Sequence, residues 1–249
     1  MKKNIFAVLL ALSMAVTPMY VMAEETAAAE ETAETAEEKT EDITEETTEV
    51  TVNTDENAET AEKGGCKFSD VSTDAWYVDA VNFVTERGIM NGTSETLFSP
   101  DETATRGMTA VILNNIEGKT EKVYWAYLDV EENAWYADSV AWCSENSIIN
   151  GYGNGYFGPE DEVTREQLVS ILYRYAQFKN LDSLETTGVE LLEYEDYADI
   201  SGYAGDPMQW ALKIGIISGT DGNTLSPKAV AHRAEIAQII KNFMEFYKL

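Results

Sequence analysis

The sequence predicts a mainly α fold: three helix–loop–helix units packed around a shared axis. Two observations carry the prediction. Gly92, Pro100 and Arg106 stand eight and six residues apart, and Gly151, Pro159 and Arg165, then Gly219, Pro227 and Arg233, repeat that spacing. A register repeated at offsets of 59 and 68 residues marks a repeat architecture. Apolar residues also recur at helical spacing on both sides of that register, and one such hairpin has no second layer against which to bury its apolar face.

The 249 residues divide at the N-terminus. Residues 1–23 read as a signal peptide: Lys2 and Lys3, a short apolar run from Ile5 to Val16, and a Val21-Met22-Ala23 cleavage signal. The run is too short to span a bilayer, and acidic residues follow it, so no transmembrane segment is expected after cleavage. Residues 24–63 hold 16 acidic residues against two lysines and no aromatic residue. Such a segment buries too little surface to offset its ordering entropy, so a disordered, extended acidic spacer is expected. The units then occupy 64–122, 123–180 and, with a linker, 181–249.

Each unit opens on an aromatic and an acid: Phe68-Ser69-Asp70, Tyr127-Leu128-Asp129 and Tyr197-Ala198-Asp199. A first helix follows, with Asp74 and Asn133 as N-cap candidates. Trp76, Ala80, Phe83 and Val84 form its apolar stripe in unit one, and Trp135 and Tyr203 take the Trp76 place. In unit three the helix is expected to begin near Asp206 with Pro207 at its first position. The first helices stop near Gly88, Ser147 and Gly215, before the turn glycines Gly92, Gly151 and Gly219. A polar loop runs to each proline, and a second helix starts about Thr105, Thr164 and His232. Thr164 and Gln167 have capping-box spacing, whereas Met108 cannot close one. The inserted segment Lys179–Glu195 carries several leucines and is expected to form a short surface helix.

These residues resemble the S-layer homology domain family: an F-x-D-V opening, a tryptophan, a G-I-x-x-G turn, an F-x-P loop end and a T-R-A-E motif. The T-R-A-E motif stands here as Thr105-Arg106-Gly107-Met108, Thr164-Arg165-Glu166-Gln167 and His232-Arg233-Ala234-Glu235. The resemblance covers 64–249. It implies a pseudo-threefold domain that binds secondary cell-wall polymers, often pyruvylated polysaccharides, in grooves between units and so anchors exported proteins to the envelope.

The candidate ligand residues follow from both readings. Arg106, Arg165 and Arg233 offer planar forks suited to a carboxylate, at helix starts where free backbone N–H groups also favour an anion. The alternative is pairing with Asp70, Asp129 or Asp199. Those aspartates either orient the arginines or accept a sugar hydroxyl, or else cap a turn. Trp76, Trp135 and Tyr203 either stack on sugar or belong to the core, with the stripe favouring core. Gly92, Gly151 and Gly219 are expected to serve close packing or backbone conformation more than direct contact. Gln167 and Glu235 fill the motif's last position and Met108 departs from it, so unequal grooves are expected, with fewer than three of them functional.

A net charge of −28 argues against nucleic acid and anionic membranes as partners, though not against an acidic ligand held by a few local arginines. The single His232 removes most zinc motifs and histidine-based nucleophilic triads, so no catalytic residue, metal or cofactor is assigned. Cys143 aligns with Val84 as a small buried hydrophobe; export permits a bridge to Cys66, but the sequence does not place the two together. The leading expectation is a secreted, non-catalytic cell-surface protein binding an anionic wall polysaccharide or peptidoglycan-linked polymer. The alternatives are a self-associating S-layer protein and, last, a wall-glycan hydrolase, which would need a carboxylate pair in a cleft.

Overall fold

A computed structural model describes residues 66–118, 127–181, 186 and 190–249. The expected signal peptide and acidic spacer lie outside the described residues, as does Leu184 in the inserted segment. Among the described residues six helices run in order: α1 (Val78–Glu86), α2 (Arg106–Ile116), α3 (Ala137–Glu145), α4 (Arg165–Phe178), α5 (Gly205–Lys213) and α6 (Arg233–Tyr247). A short 3-10 turn, Glu190–Glu193, is the helical element described in the segment where a surface helix was expected, and a second, Tyr197–Asp199, follows it. Among the described residues no helix is long and apolar enough to cross a membrane.

The odd-numbered helices bury Ala80 and Val84 of the expected stripe in α1, with Val81 beside them and Phe83 half-buried, and Trp142 and Cys143 in α3, with Val140 beside them. Their starts differ from expectation. Tyr77, Tyr136 and Ala204 hold the N-cap positions without any side-chain cap, so Asp74 and Asn133 do not cap. Helix α5 begins at Gly205, which puts Pro207 third; its missing N–H costs nothing there, because first-turn N–H groups have no partner within a helix. Each odd helix ends on a left-handed residue: Gly88 at φ +66, Ser147 at φ +56 and Gly215 at φ +74. Cys143 is fully buried, and both cysteines are free.

The order helix, loop, helix is as read, but the packing runs between units. Helix α2 packs on α3, α4 on α5, and α6 returns to α1. Every helix therefore finds its main partner in a neighbouring unit, and the third pairing closes the ring. At the axis the closure is made by backbone. Val163 N donates to Ala104 O at 3.0 Å, Ala231 N to Val163 O at 2.8 Å, and Ala104 N to Ala231 O at 3.0 Å. All three residues are buried, so this triangle satisfies six groups in the interior that water cannot reach.

Truncation after Asn180 removes the partners of both α4 and α1. The shortened chain is expected to lose its cooperative thermal transition altogether; a surviving sharp transition in circular dichroism would contradict closure through unit three.

Candidate binding grooves

The aspartates bind backbone. Asp70 accepts from Phe98 N at 2.9 Å and Ser99 N at 2.7 Å, and Asp129 from Phe157 N at 2.8 Å and Gly158 N at 2.6 Å. In unit three the equivalent carboxylate belongs to Asp196, which takes Leu225 N at 2.8 Å and Ser226 N at 2.7 Å. Asp199 was the wrong choice: it is exposed at the end of a 3-10 turn. The opening aromatic of that unit is correspondingly Tyr194, which abuts Gly219 as Phe68 abuts Gly92 and Tyr127 abuts Gly151. The signal lay in the span from acid to loop, 28, 28 and 29 residues. Unit three has one residue inserted before Tyr203. A Cβ on Gly92 or Gly151 would meet neighbouring atoms at 2.4 or 2.5 Å, so these glycines serve close packing.

The arginines cross between units. Arg106 Nε donates to Phe157 O at 2.9 Å and Nη2 to Asn150 O at 2.7 Å. Arg233 repeats this on Phe98 O at 2.9 Å and Asn91 O at 2.7 Å. Arg165 reaches Leu225 O at 3.0 Å and Ser218 O at 3.4 Å. Direct pairing with an aspartate is absent among the described residues. Acid and arginine instead hold opposite sides of one residue, the acid its N–H and the arginine its C=O. Burial pushes the Asp70 carboxyl up, but the Phe98 and Ser99 N–H groups and the Arg233 charge outweigh it and hold the group below the usual range.

The helix starts are not free for an anion. Arg106 N donates to Asp161 O at 2.9 Å and Gly107 N to Pro159 O at 2.8 Å. Arg165 and Glu166 N–H go to Ala229 and Pro227, and Arg233 and Ala234 N–H to Glu102 and Pro100. The third N–H of α2 and of α4 goes to its capping threonine, Thr105 or Thr164. Gln167 completes its capping box through Thr164 N at 3.0 Å. Burial in the ring therefore replaces the anion site expected at these termini.

Trp76, Trp135 and Tyr203 are 63 %, 62 % and 55 % exposed, which overturns the core reading. They precede the helices, so Tyr77, Tyr136 and Ala204 take the inward place. Each tryptophan is braced edge-on by the following tyrosine, with ring centroids 5.2 and 5.1 Å apart.

These residues converge. One groove of about 610 Å³ is lined by Ile216 to Asp221 and α6 of unit three, by Arg165 of unit two and by Trp76 of unit one. A second, of about 490 Å³, repeats the pattern with Asn91, Gly92 and Met108 of unit one, Trp135 of unit two and Arg233 of unit three. Each is thus assembled from all three units. Glu235 occupies the first: Oε1 binds Arg165 Nη1 at 3.0 Å and Oε2 accepts from His232 N at 3.0 Å. The apolar Met108 stands in the second, where Glu235 stands in the first.

The S-layer homology domain model matches residues 67–107, 126–169 and 193–237, together just over half the chain. The chain belongs to the S-layer homology family. The third match starts at 193, so it takes in Tyr194 and Asp196. An exoglucanase of Acetivibrio thermocellus is 33% identical over 184 residues, 74% of this chain and 17% of the relative. An amylopullulanase of Thermoanaerobacterium thermosulfurigenes is 31% identical over 179 residues, 72% of the chain and 9% of the relative. An S-layer protein of Bacillus thuringiensis subsp. finitimus is 28% identical over 180 residues, 71% of the chain and 21% of the relative. The chain thus spans about a fifth or less of the length of these relatives. Family and relatives make this S-layer homology chain a secreted cell-surface protein with an envelope-anchoring role.

Sequence reasoning missed Glu166, which is buried at 2 % exposure between units two and three. Its carboxylate accepts from Ser201 N at 2.9 Å, Tyr203 Oη at 3.0 Å and Lys228 Nζ at 2.5 Å. Burial raises its pKa, but Lys228, Ser201 and Tyr203 outweigh burial and leave the carboxyl below its ordinary value.

Two outcomes follow for stability. Arg233→Ala removes two charge-assisted bonds, one to the buried Phe98 carbonyl and one to the Asn91 carbonyl, and is expected to cost about 3 kcal/mol, read in denaturant unfolding. Asp70 and Glu166 both have lowered native pKa values. The stability they contribute is complete above their unfolded values of about 4 and is lost as the pH falls toward the native ones. Asp70→Asn should therefore lower the melting temperature at pH 7 and flatten its decline between about pH 5 and 3; an unchanged acid limb would contradict this.

Proposed function

We propose that this chain binds an anionic secondary cell-wall polysaccharide, with a pyruvate-ketal sugar as its charged residue, and thereby holds to the wall without catalysing any reaction. One observation supports this above others: each groove combines a guanidinium, a turn and an exposed, braced aromatic ring, each from a different unit. Aromatic faces suit the apolar side of a sugar ring, and a guanidinium suits its carboxylate. A non-catalytic role fits the match to the glycan hydrolases, which covers 17% or less of the exoglucanase and amylopullulanase.

Co-sedimentation with purified cell wall, before and after removal of the non-peptidoglycan polymer, tests the reading. Binding is expected before removal and not after. Trp135→Ala should weaken retention by roughly threefold to tenfold, the size of an aromatic contact of about 0.5–1.5 kcal/mol, with an unchanged melting temperature. Equal retention with and without the polymer would overturn the proposal.

A further inference from the structure

The threefold pattern implies a third groove, over unit two, and its charges differ from those of the other two. In unit one Asn115 Nδ2 donates to Ile89 O at 3.0 Å, and in unit three Asn242 Nδ2 donates to Ile216 O at 3.0 Å; both asparagines line their grooves. The same place in unit two holds Arg174, whose Nε donates to Ile148 O at 2.7 Å. Two residues further along that turn, Asn150 O receives Arg106. Two guanidinium groups are thus fastened to one three-residue turn. Arg106 also lies 4.8 Å from the centroid of the Tyr152 ring. Tyr203 stands where Trp76 and Trp135 stand at the other grooves.

In unit three the arrangement is reversed. Glu235 neutralises Arg165 within the groove, and Asp221 adds a second carboxylate to its lining. In unit two the corresponding side chain is Gln167, which is neutral and turned back onto Thr164 N.

Resting on the proposed function, we infer that the unit-two groove is the site for the acidic sugar, that Arg174 is its specificity-determining residue, and that the unit-three groove takes no anion while Glu235 holds Arg165. A carboxylate bound between Arg106 and Arg174 meets two forks at once, and charge-assisted pairs of that kind carry both strength and orientation. Burial and the Arg106 charge both act against the Arg174 cation, and an incoming carboxylate relieves them. The ketal-free parent sugar gains nothing from the second fork, so discrimination between charged and neutral sugar lies in Arg174.

Calorimetric titration of the full chain with a pyruvate-ketal sugar glycoside and with its neutral parent tests this. Arg174→Asn restores the side chain that units one and three carry, with its backbone bond, so the fold is retained and its melting temperature checks that. The variant is expected to bind the ketal sugar at least tenfold more weakly and the neutral parent unchanged. Glu235→Gln combined with Asn242→Arg frees Arg165 and gives the unit-three groove the second fork that unit two has, and the double variant is expected to add a second ketal-sugar site. Unchanged ketal-sugar affinity in Arg174→Asn, or unchanged stoichiometry in the double variant, overturns the inference while wall co-sedimentation still stands. A wild-type chain that takes neither wall polymer nor ketal sugar ends the proposed function and this inference together.

Discussion

Everything in this fold depends on one exchange: the start of each second helix gives its hydrogen bonds to the loop of the next unit. The first two N–H groups and the arginine side chain all cross that boundary, and they end on carbonyls around the loop proline and the turn. A helix start normally leaves those donors for water or a cap. Here each of these loops is held from both sides, by an aspartate of its own unit and an arginine of the preceding unit in the ring. The cation at the positive end of a helix, unfavourable by itself, is offset by two bonds to carbonyl oxygens.

The same exchange makes the grooves. Because the arginine leaves its own unit, a guanidinium reaches a turn and a ring contributed by two others. The arginines are therefore structural and lie at the binding surface together: Nε and Nη2 are committed to the loop, while Nη1 is the atom that Glu235 takes from Arg165. Small differences at the neighbouring positions then set the charge of each groove. Methionine leaves one apolar, glutamine leaves one neutral beside a second arginine, and glutamate closes one on itself.

Much of this was legible in the sequence. The Gly–Pro–Arg register gave three units, the helix ends at Gly88, Ser147 and Gly215, and the caps at Thr105 and Thr164, because each is a local demand of backbone geometry. What failed depended on tertiary context. Asp199 sits in an aromatic–acid stretch like Phe68 to Asp70, and the span from acid to loop that points to Asp196 shows its meaning only once the loop amides are placed. Trp76 fits a helical stripe, but α1 begins after it, and periodicity does not show where a helix starts. The free helix N-termini were a sound inference for an isolated helix and wrong for one whose end is covered by its neighbour. Glu166 fills the alanine place of its T-R-A-E motif, and only its bonds to Ser201, Tyr203 and Lys228 show that it joins two units.

The three crossings are chemically alike but not alike in chain distance. Arg106 and Arg165 reach carbonyls 51 and 60 residues away, whereas Arg233 must find Phe98 across 135. Loop-closure entropy grows only logarithmically, so the extra cost is about 1 kcal/mol. That cost favours the two shorter crossings first, so the seam between the last unit and the first is the final one to close during folding.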